Sequence, residues 1–373
     1  MKNHFKKIVE SLLASTDIKI NGQRPWDIQI HEEKLYQRIL RHGYLGLGES
    51  YMDGWWDAEN LDQLFQKLLA NHAEEKIKGL AMTFISTRAK LLNIQKKKRA
   101  YRIGEKHYDL GNDLFKLMLD KGMNYSCAYW KGAEDLDQAQ EAKLDLICRK
   151  IGLEPGMKVL DIGCGWGGFA KYAAEKYKAE IVGITVSTEQ ANLAREVCTN
   201  FPVEIRLQDY RSLKEKFNRI ISIGMFEHVG YKNYRAFMQV VFDCLHDDGL
   251  FLLQTIGNNL ETVIGDSWMD KYIFPDSMTP SPTHITRAVE RLFIIEDWHN
   301  FGADYDRTLM AWYNNFNRNW ELISRNRKYD TRFYRMWKYY LLSCAGSSRS
   351  RKFQLWQIVF SKKGIPGGYE SIR

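Results

Sequence analysis

The feature that most constrains the fold is an apolar run at 157–163 that leads directly into a glycine-rich turn at 163–168. Four more short apolar runs follow, each separated by amphipathic sequence of helix length, at 180–186, 203–209, 219–225 and 250–256. This alternation is typical of buried parallel strands joined by crossover helices. The sequence therefore predicts a doubly wound α/β sheet, and a late apolar run at 355–361 predicts an antiparallel edge strand.

The first quarter of the chain predicts helices. Apolar residues recur there at helical spacing, at Phe5, Ile8, Val9, Leu12 and Leu13 and again at Leu61, Leu64, Phe65, Leu68 and Leu69. These stripes pack into the domain's own core or lie on a membrane surface. Between them, the glycine-rich and aromatic stretch 43–56 predicts a structured loop, with turns at Gly46, Gly48 and Gly54.

A run of four basic residues at 96–99 favours an exposed connection between domains. We therefore expect a smaller, mainly helical domain at 1–95 and an α/β domain at 96–373. The net charge is +8, and residues 1–100 hold 17 basic against 12 acidic side chains. Such a surface attracts nucleic acid or an anionic membrane leaflet, or it is ordinary solvated charge.

Two absences in the sequence bear on the cellular location. No apolar run approaches the roughly 20 residues that span a bilayer. The six cysteines are far apart and form no CxxC pair, which argues against a zinc site and a disulfide framework. We expect a cytoplasmic protein without a metal site.

The glycines of the turn also satisfy the GxGxxG pattern of dinucleotide sites, but two features favour a different nucleotide. The second strand ends at Thr185, Val186 and Ser187, without the acidic residue that holds a dinucleotide ribose. Asp161 precedes the turn, where a carboxylate suits the cationic groups of S-adenosylmethionine better than a pyrophosphate. Gln190, Asp209 and Tyr210 are spaced to reach the ribose and adenine, although residues at such positions are also ordinary caps and turns.

Several other segments are rich in polar and aromatic side chains, namely HYDLGNDLF (107–115), YSCAYW (125–130), MFEHVG (225–230) and EDWHNFGADYD (296–306). Together with the glycine turn, they resemble the family of cyclopropane-fatty-acyl-phospholipid synthases and mycolic acid cyclopropane synthases. The resemblance runs through nearly all of residues 100–373. It implies a class I S-adenosylmethionine-dependent methyltransferase domain, Rossmann-like, preceded by a smaller helical domain.

The resemblance also implies an activity: transfer of a methylene group from S-adenosylmethionine to the cis double bond of an unsaturated phospholipid. Attack by the alkene leaves a carbocation, which aromatic faces stabilise, and a general base then removes a proton to close the ring. In the family, that base is a bound bicarbonate. A homodimer at the inner membrane surface, peripherally associated, is implied as well.

The site residues carried over by these motifs form two groups. The cofactor-binding group is Tyr125, Ser126, Asp161, Gly163, Gly165, Thr185, Gln190, Asp209 and Tyr210. The catalytic group holds bicarbonate or lines the reacting centre and is Tyr108, Cys127, Glu227, Gln254, Ile256 and Tyr305. Phe226, Trp312 and Tyr313 are further candidate aromatic walls, with core packing favoured for Trp312.

One position departs from the family pattern, because Gln254 stands where the family usually has a histidine that helps to bind the anion. Glutamine donates through its amide but carries neither a proton nor a charge. We therefore expect an anion site with altered affinity. His228, beside Glu227, is a second candidate base, although a histidine in such a position is commonly structural.

Alternatives with the same fold remain open. A relative that forms a methyl-branched acyl chain begins with the same carbocation, so these residues do not separate the two reactions. Methylation of RNA or of a small molecule is a further alternative, but the sequence has no nucleic-acid-binding module, and we expect no nucleic-acid partner.

Overall fold

The structure is a computed structural model that describes residues 2–70, 111–261 and 265–373. The chain forms two compact units. The helical unit comprises Met1–Leu92, Thr262–Pro275 and Tyr305–Phe353, and the sheet unit comprises Asn93–Glu261, Asp276–Asp304 and Gln354–Arg373. The boundary expected between residues 95 and 96 places Thr262–Pro275 and Tyr305–Phe353 in the α/β domain. Periodicity predicts that a segment is helical but not which core it packs against.

The described helices are α1 (Lys2–Leu13), α2 (Lys34–Met52), α3 (Leu61–Ala70), α4 (Asn112–Met118), α5 (Leu136–Lys150), α6 (Gly168–Tyr177), α7 (Thr188–Val197), α8 (Tyr234–Cys244), α9 (Ser267–Tyr272), α10 (Pro282–Val289), α11 (Ala303–Arg318), α12 (Trp320–Ile323) and α13 (Thr331–Arg349). The strands are β1 (Gln29–Ile30), β2 (Trp56–Asp57), β3 (Lys158–Ile162), β4 (Glu180–Thr185), β5 (Val203–Leu207), β6 (Phe217–Ile223), β7 (Leu245–Asn258), β8 (Ile294–Asn300) and β9 (Phe353–Ser361). Across the described ranges, every helix is too short or too polar to cross a membrane.

Aromatic side chains from α2, α9 and α13 form the centre of the helical unit. The ring of Trp268 lies 4.5 Å from that of Tyr339, and Tyr51 lies 5.5 Å from Tyr339 and 5.0 Å from Trp56. Trp56 and Trp268 are completely buried. Apolar aromatic burial of this kind therefore joins segments that are far apart in sequence.

The first helix, α1, buries its apolar stripe. Val9, Leu12 and Leu13 are each less than 9% exposed. This arrangement matches the interpretation that the stripe packs into its own domain, and it leaves Lys7 exposed on the opposite side.

The prediction of a loop over 43–56 was wrong for most of that stretch, because α2 continues to Met52. Gly46 and Gly48 are helical, and they are small because neighbours approach closely: a Cβ atom at Gly48 would lie 2.4 Å from Cδ1 of Trp268. Gly43 interrupts the helix with a φ of 55°, and Gly54 forms the predicted turn with a φ of 75°. Glycine in a helix therefore marked close packing here, and not a turn.

The sheet unit contains the predicted doubly wound sheet, with strand order β5-β4-β3-β6-β7-β9-β8. Strand β3 pairs in parallel with β4 and β6, β4 pairs with β5, and β6 pairs with β7. All five of the predicted parallel strands are present, with ends shifted by a few residues. The Rossmann-like α/β prediction is confirmed.

The position of the last strand was predicted wrongly. Strand β9 pairs antiparallel with β8, as expected for a strand of that orientation, but it lies between β7 and β8 and not at the edge. Eight of its nine residues are buried, which suits an interior strand. The strand at this edge of the sheet is β8. Its sequence, IIEDWHN, is mostly half-exposed and too polar to predict a strand.

Replacement of Gly48 by alanine tests the packing of α2. Helix propensity favours alanine by about 1 kcal/mol, whereas overpacking against buried Trp268 costs about 1–3 kcal/mol. We expect Gly48→Ala to lower the free energy of unfolding measured by urea denaturation. The control is His42→Ala, at an exposed position on the same helix, which should stay within about 0.5 kcal/mol of the parent. A Gly48→Ala protein at least as stable as the parent contradicts this packing.

Candidate active site

A cavity opens at the carboxyl ends of β3, β4, β5 and β6, the edge at which parallel α/β sheets bind ligands. The structure brings the nine residues of the predicted cofactor-binding group together around it: Tyr125, Ser126, Asp161, Gly163, Gly165, Thr185, Gln190, Asp209 and Tyr210. These residues come from four separate parts of the chain, and three of them lie at the ends of the parallel strands β3, β4 and β5.

The glycine turn forms the floor of this cavity. Gly163, Gly165 and Gly167 have φ values of 88°, 55° and 86°, which residues with a side chain rarely adopt. The backbone N–H groups of Gly163 and Cys164 both donate to the Ile184 carbonyl, at 2.9 and 3.0 Å, and tie the turn to the end of β4. A Cβ atom at Gly163 would lie 2.8 Å from the Met225 side chain. The turn therefore needs glycine for both its conformation and its packing.

Asp161 lies at the end of β3 and is 2% exposed. Burial raises the pKa of its carboxyl group to about 7, and the positive charge of Lys143 opposes this shift. Its carboxylate accepts no hydrogen bond from any residue that the structure describes. Asp161 is thus a buried acidic group that faces a cavity, and no described residue donates a hydrogen bond to it.

Lys143, which the sequence analysis missed, also lines the cavity. It projects from α5, is 1% exposed, and donates from Nζ to Asn124 Oδ1 at 3.3 Å and Ser126 Oγ at 3.2 Å. Burial lowers the pKa of this lysine to about 8. A lysine on an amphipathic helix is ordinarily solvated, so its residue type alone carried no signal of burial.

Gln190 both takes part in the N-terminal turn of α7 and lines the cavity, the two roles that its position in the sequence permitted. Its backbone N–H donates to Oγ of Ser187, the N-cap of α7, at 3.3 Å, and its Oε1 accepts from the Thr185 hydroxyl at 2.9 Å. Its Nε2 donates to no residue in the described parts of the chain. The amide is therefore oriented by Thr185 and still has donors for a ligand hydroxyl.

Asp209 is engaged within the protein. Its carboxylate accepts from the backbone N–H of Arg211 at 2.9 Å and from Arg211 Nη1 at 2.9 Å, and it caps a single helical turn at Tyr210–Ser212. The Arg211 guanidinium lies 4.8 Å from the centre of the Tyr210 ring. Asp209 therefore shapes the part of the cavity beyond the end of β5 through Arg211 and Tyr210.

Four of the predicted catalytic residues, Cys127, Glu227, Gln254 and Ile256, form a second group, here called the Glu227 cluster. The Ile256 N–H donates to Glu227 Oε1 at 2.6 Å, and Gln254 Nε2 donates to the Cys127 carbonyl at 3.2 Å. Gln357, which the sequence analysis missed, donates to Gln254 Oε1 at 2.9 Å and fixes its amide orientation.

Glu227 is the titratable centre of this cluster. It is 6% exposed, and burial raises the pKa of its carboxyl group to about 7, against the hydrogen bond from the Ile256 N–H. Its second oxygen, Oε2, has no hydrogen-bond partner in the parts of the chain that the structure describes. A carboxyl group that titrates near neutral pH and keeps one free oxygen is suited to accept or relay a proton.

The other candidates lie in different surroundings. His228 lines the cavity, and burial lowers its pKa to about 4, so it is neutral at pH 7. Phe226 is completely buried and stacks on Tyr234 with ring centres 4.0 Å apart, which is core packing. Tyr305 belongs to the helical unit, where its ring meets the buried Trp312 edge-on at 6.1 Å. Tyr108 lies outside the described residues.

Comparisons with known proteins identify the family. The sequence matches the family described as mycolic acid cyclopropane synthetase over residues 95–358. The cyclopropane-fatty-acyl-phospholipid synthase of Escherichia coli (strain K12) is 50% identical over 372 residues, covering 100% of this chain and 97% of the relative. A probable fatty acid methyltransferase of Pseudomonas putida is 34% identical over 279 residues, 71% of this chain and 70% of the relative.

The solved structures include the mycolic acid cyclopropane synthase CmaA1 in complex with SAH and CTAB. It is 31% identical, covers 70% of this chain and 98% of its own, and has a TM-score of 0.65. This likeness confirms the predicted class I methyltransferase fold. With the family match over residues 95–358 and the relationship along the full chain, it follows that this chain belongs to the mycolic acid cyclopropane synthetase family.

Proposed function

We propose that this S-adenosylmethionine-dependent transferase adds a methylene group to the cis double bond of an unsaturated phospholipid acyl chain and forms a cyclopropane ring. The observation that carries the proposal is that residues adjacent in sequence to Glu227 and Cys127 of the Glu227 cluster line the cavity. Met225 and His228 line the cavity, and Glu227 lies between them in sequence. S-adenosylmethionine as the donor is further supported by the family and by the SAH in the CmaA1 complex.

The reaction sets the demands on the protein. The alkene electrons form a bond to the donor's methyl carbon as its bond to sulfur breaks, which leaves a carbocation on the acyl chain. Loss of a proton from the new methyl group then supplies the electrons that close the ring. The protein therefore needs an aromatic surface for the cation and a base for the proton. We assign the aromatic surface to Tyr108.

The Glu227 cluster has a donor and acceptor set that fits bicarbonate. Oε2 of Glu227 is a buried acceptor without a partner in the described structure, so it suits an anion that has a hydroxyl group of its own. The Gln254 amide uses Nε2 toward the Cys127 carbonyl and has a second N–H on the same nitrogen. When bound, bicarbonate supplies a general base. Glu227 orients it, and Cys127 contributes through its backbone and not as a nucleophile.

Ile256 contributes differently from the expectation of a direct anion contact. Its N–H is committed to Glu227 Oε1, so it holds the carboxylate in place. The carbonyl oxygen of Ile256 accepts a hydrogen bond from the Thr255 hydroxyl at 3.2 Å. We infer that Ile256 positions Glu227, which in turn positions the base.

The acyl chain's double bond lies deep in a bilayer, so we also propose peripheral association with the inner membrane surface, as a homodimer in the cytoplasm. Because α1 buries its apolar stripe, its exposed contribution is the charge of residues such as Lys7. Each basic residue near an anionic surface contributes about 1 kcal/mol. An apolar channel gains about 0.8 kcal/mol for each CH₂ group of the acyl chain that it buries.

A second candidate reaction is formation of a methyl-branched acyl chain, which is favoured by the similarity to the probable fatty acid methyltransferase of Pseudomonas putida. It begins with the same carbocation and differs in the fate of the new methyl group. Methylation of an RNA or a small molecule is the third alternative, and no observation favours it.

Incubation with S-adenosylmethionine, bicarbonate and vesicles of cis-unsaturated phospholipid tests the proposed reaction. Mass spectrometry and proton NMR of the lipid should show an added CH₂, loss of vinyl signals and new cyclopropane signals. A methyl branch supports the second candidate instead. Unchanged lipid beside cofactor turnover on RNA contradicts the proposal.

The variant Glu227→Gln tests the role of the central carboxyl group. Since burial raises the pKa of Glu227 to about 7, the ionised form that accepts bicarbonate's hydroxyl prevails above pH 7 and is lost below it. We expect the parent's activity to fall through this range on acidification, and the variant to lose at least about 100-fold in kcat. The pH profile is measured at constant bicarbonate concentration, with the exposed Glu189→Gln as the control. An unchanged acidic limb in Glu227→Gln rules out this titration.

The variant Gln254→His restores the residue that the family usually has. Histidine gives the anion a donor that can carry charge, so the half-saturating bicarbonate concentration should decrease by about tenfold, the size of one charged hydrogen bond. The control is Gln208→His, which changes the cofactor cavity and not the Glu227 cluster. Identical bicarbonate titrations for the parent and Gln254→His would show that residue 254 does not affect bicarbonate binding.

A further inference from the structure

Two buried groups of opposite charge, Asp161 and Lys143, face the same cavity. They are 2% and 1% exposed, and they come from different elements, the end of β3 and the middle of α5. A charge removed from water is costly unless a partner compensates it. The contacts of each group therefore indicate which kind of ligand the cavity takes.

Lys143 has only neutral hydrogen-bond partners. Its ammonium group donates to the side chains of Asn124 and Ser126, and no carboxylate of the described chain lies within ion-pair distance of it. An ammonium group has three N–H donors, so one is left over. Because Lys143 lines the cavity, this third N–H group is available to a ligand.

Asp120 is the nearest candidate for a protein counter-charge, but its oxygens are already used. They accept from the backbone N–H groups of Gly122 and Asn124 at 2.9 and 2.8 Å, and from Asn124 Nδ2 at 2.8 Å. Asp120 thus orders the loop that carries Asn124 and acts on Lys143 only through space. Lys143 keeps its positive charge available to a ligand.

The amino-acid end of S-adenosylmethionine carries the two complementary charges, an ammonium and a carboxylate on one carbon. Asp161, which accepts no hydrogen bond from the described residues, suits the ammonium. We propose that Lys143 binds the α-carboxylate of the methyl donor and makes the cavity selective for an intact amino-acid end. This inference rests on the proposed use of S-adenosylmethionine.

Ser126 links this subsite to the reaction. Its hydroxyl accepts from Lys143, it lines the cavity, and Cys127 of the Glu227 cluster follows it in sequence. A carboxylate held by Lys143 therefore fixes the donor at a point one residue from the cluster. Lys143 is a binding residue that positions the methyl group, and it takes no part in proton transfer.

The titration of Lys143 supports this assignment. The titratable groups that face it are Asp120, Cys127 and Asp161, and burial outweighs their effect and lowers its pKa to about 8. A bound carboxylate favours the charged ammonium. Affinity for S-adenosylmethionine should therefore decrease as the pH rises above 8, because the lysine is then neutral in the free protein.

The experiment compares two ligands that differ by one group, S-adenosylmethionine and decarboxylated S-adenosylmethionine, which keeps the adenosine, sulfonium and amine. Binding to the full-length parent and to Lys143→Met is measured by calorimetry, with thermal melting as the check on folding. We expect Lys143→Met to lose about tenfold to a hundredfold in affinity for S-adenosylmethionine. Its affinity for the decarboxylated ligand should change by less than about threefold, and Lys143→Arg should recover part of the loss.

Equal losses for both ligands overturn the inference, because they assign Lys143 to support of the Asn124–Ser126 loop alone. Unchanged binding of both ligands also overturns it. The pH dependence provides a second measurement: the loss of affinity for S-adenosylmethionine above pH 8 should be smaller in Lys143→Met than in the parent, because the titration of the ligand's own ammonium is common to both proteins. A parent that binds neither ligand contradicts the proposed cofactor itself, which distinguishes that failure from failure of the carboxylate subsite.

Discussion

The site depends on the reversal of the chain at the end of β3, where three glycines adopt positive φ angles. Hydrogen bonds from Gly163 and Cys164 to the Ile184 carbonyl fasten this turn to β4, and Gly163 leaves no space for a side chain beside Met225. The close approach brings the segment after β6 against the turn. Because MFEHVG is that segment, the same packing brings Met225 and His228, which flank Glu227 in sequence, to the wall of the cavity.

The charged groups at this edge share one physical condition. Burial shifts the pKa values of Asp161 and Glu227 upward to about 7 and that of Lys143 downward to about 8. Each group is therefore close to the point at which it gains or loses a proton under physiological conditions. For Asp161 and Lys143, a zwitterionic ligand end compensates the lost hydration. For Glu227, the Ile256 N–H holds one oxygen and leaves the other for proton chemistry.

The sequence predicted the parallel strands and the edge at which the cavity lies because both follow from local patterns. Apolar runs with helix-length spacing determine a doubly wound sheet, and the carboxyl ends of its strands must share one edge. The motif resemblance then identified Cys127, Glu227, Gln254 and Ile256, which the structure brings together through hydrogen bonds. These predictions needed no knowledge of tertiary packing.

The remaining features depend on contacts between distant residues. Position 48 of α2 requires glycine because Trp268, far along the chain, occupies the space that a side chain would need. The polar strand β8 forms at the edge because β9 offers it hydrogen bonds. Lys143 is buried where its ammonium group contacts the segment that carries Asn124 and Ser126. The sequence of its own helix does not indicate this contact. In each case the residue type permitted two environments, and only the fold selected one.

In the proposed reaction, a methyl group transferred at this edge of the sheet subsequently loses a proton to a base oriented by Glu227. The most direct test supplies S-adenosylmethionine with a fully deuterated methyl group and measures the deuterium content of the lipid by mass spectrometry and NMR. We expect a saturated ring carbon that retains two of the three deuterons, with the vinyl signals lost. A product that retains all three deuterons in an intact methyl group contradicts it, because the transferred group then never gave up a proton.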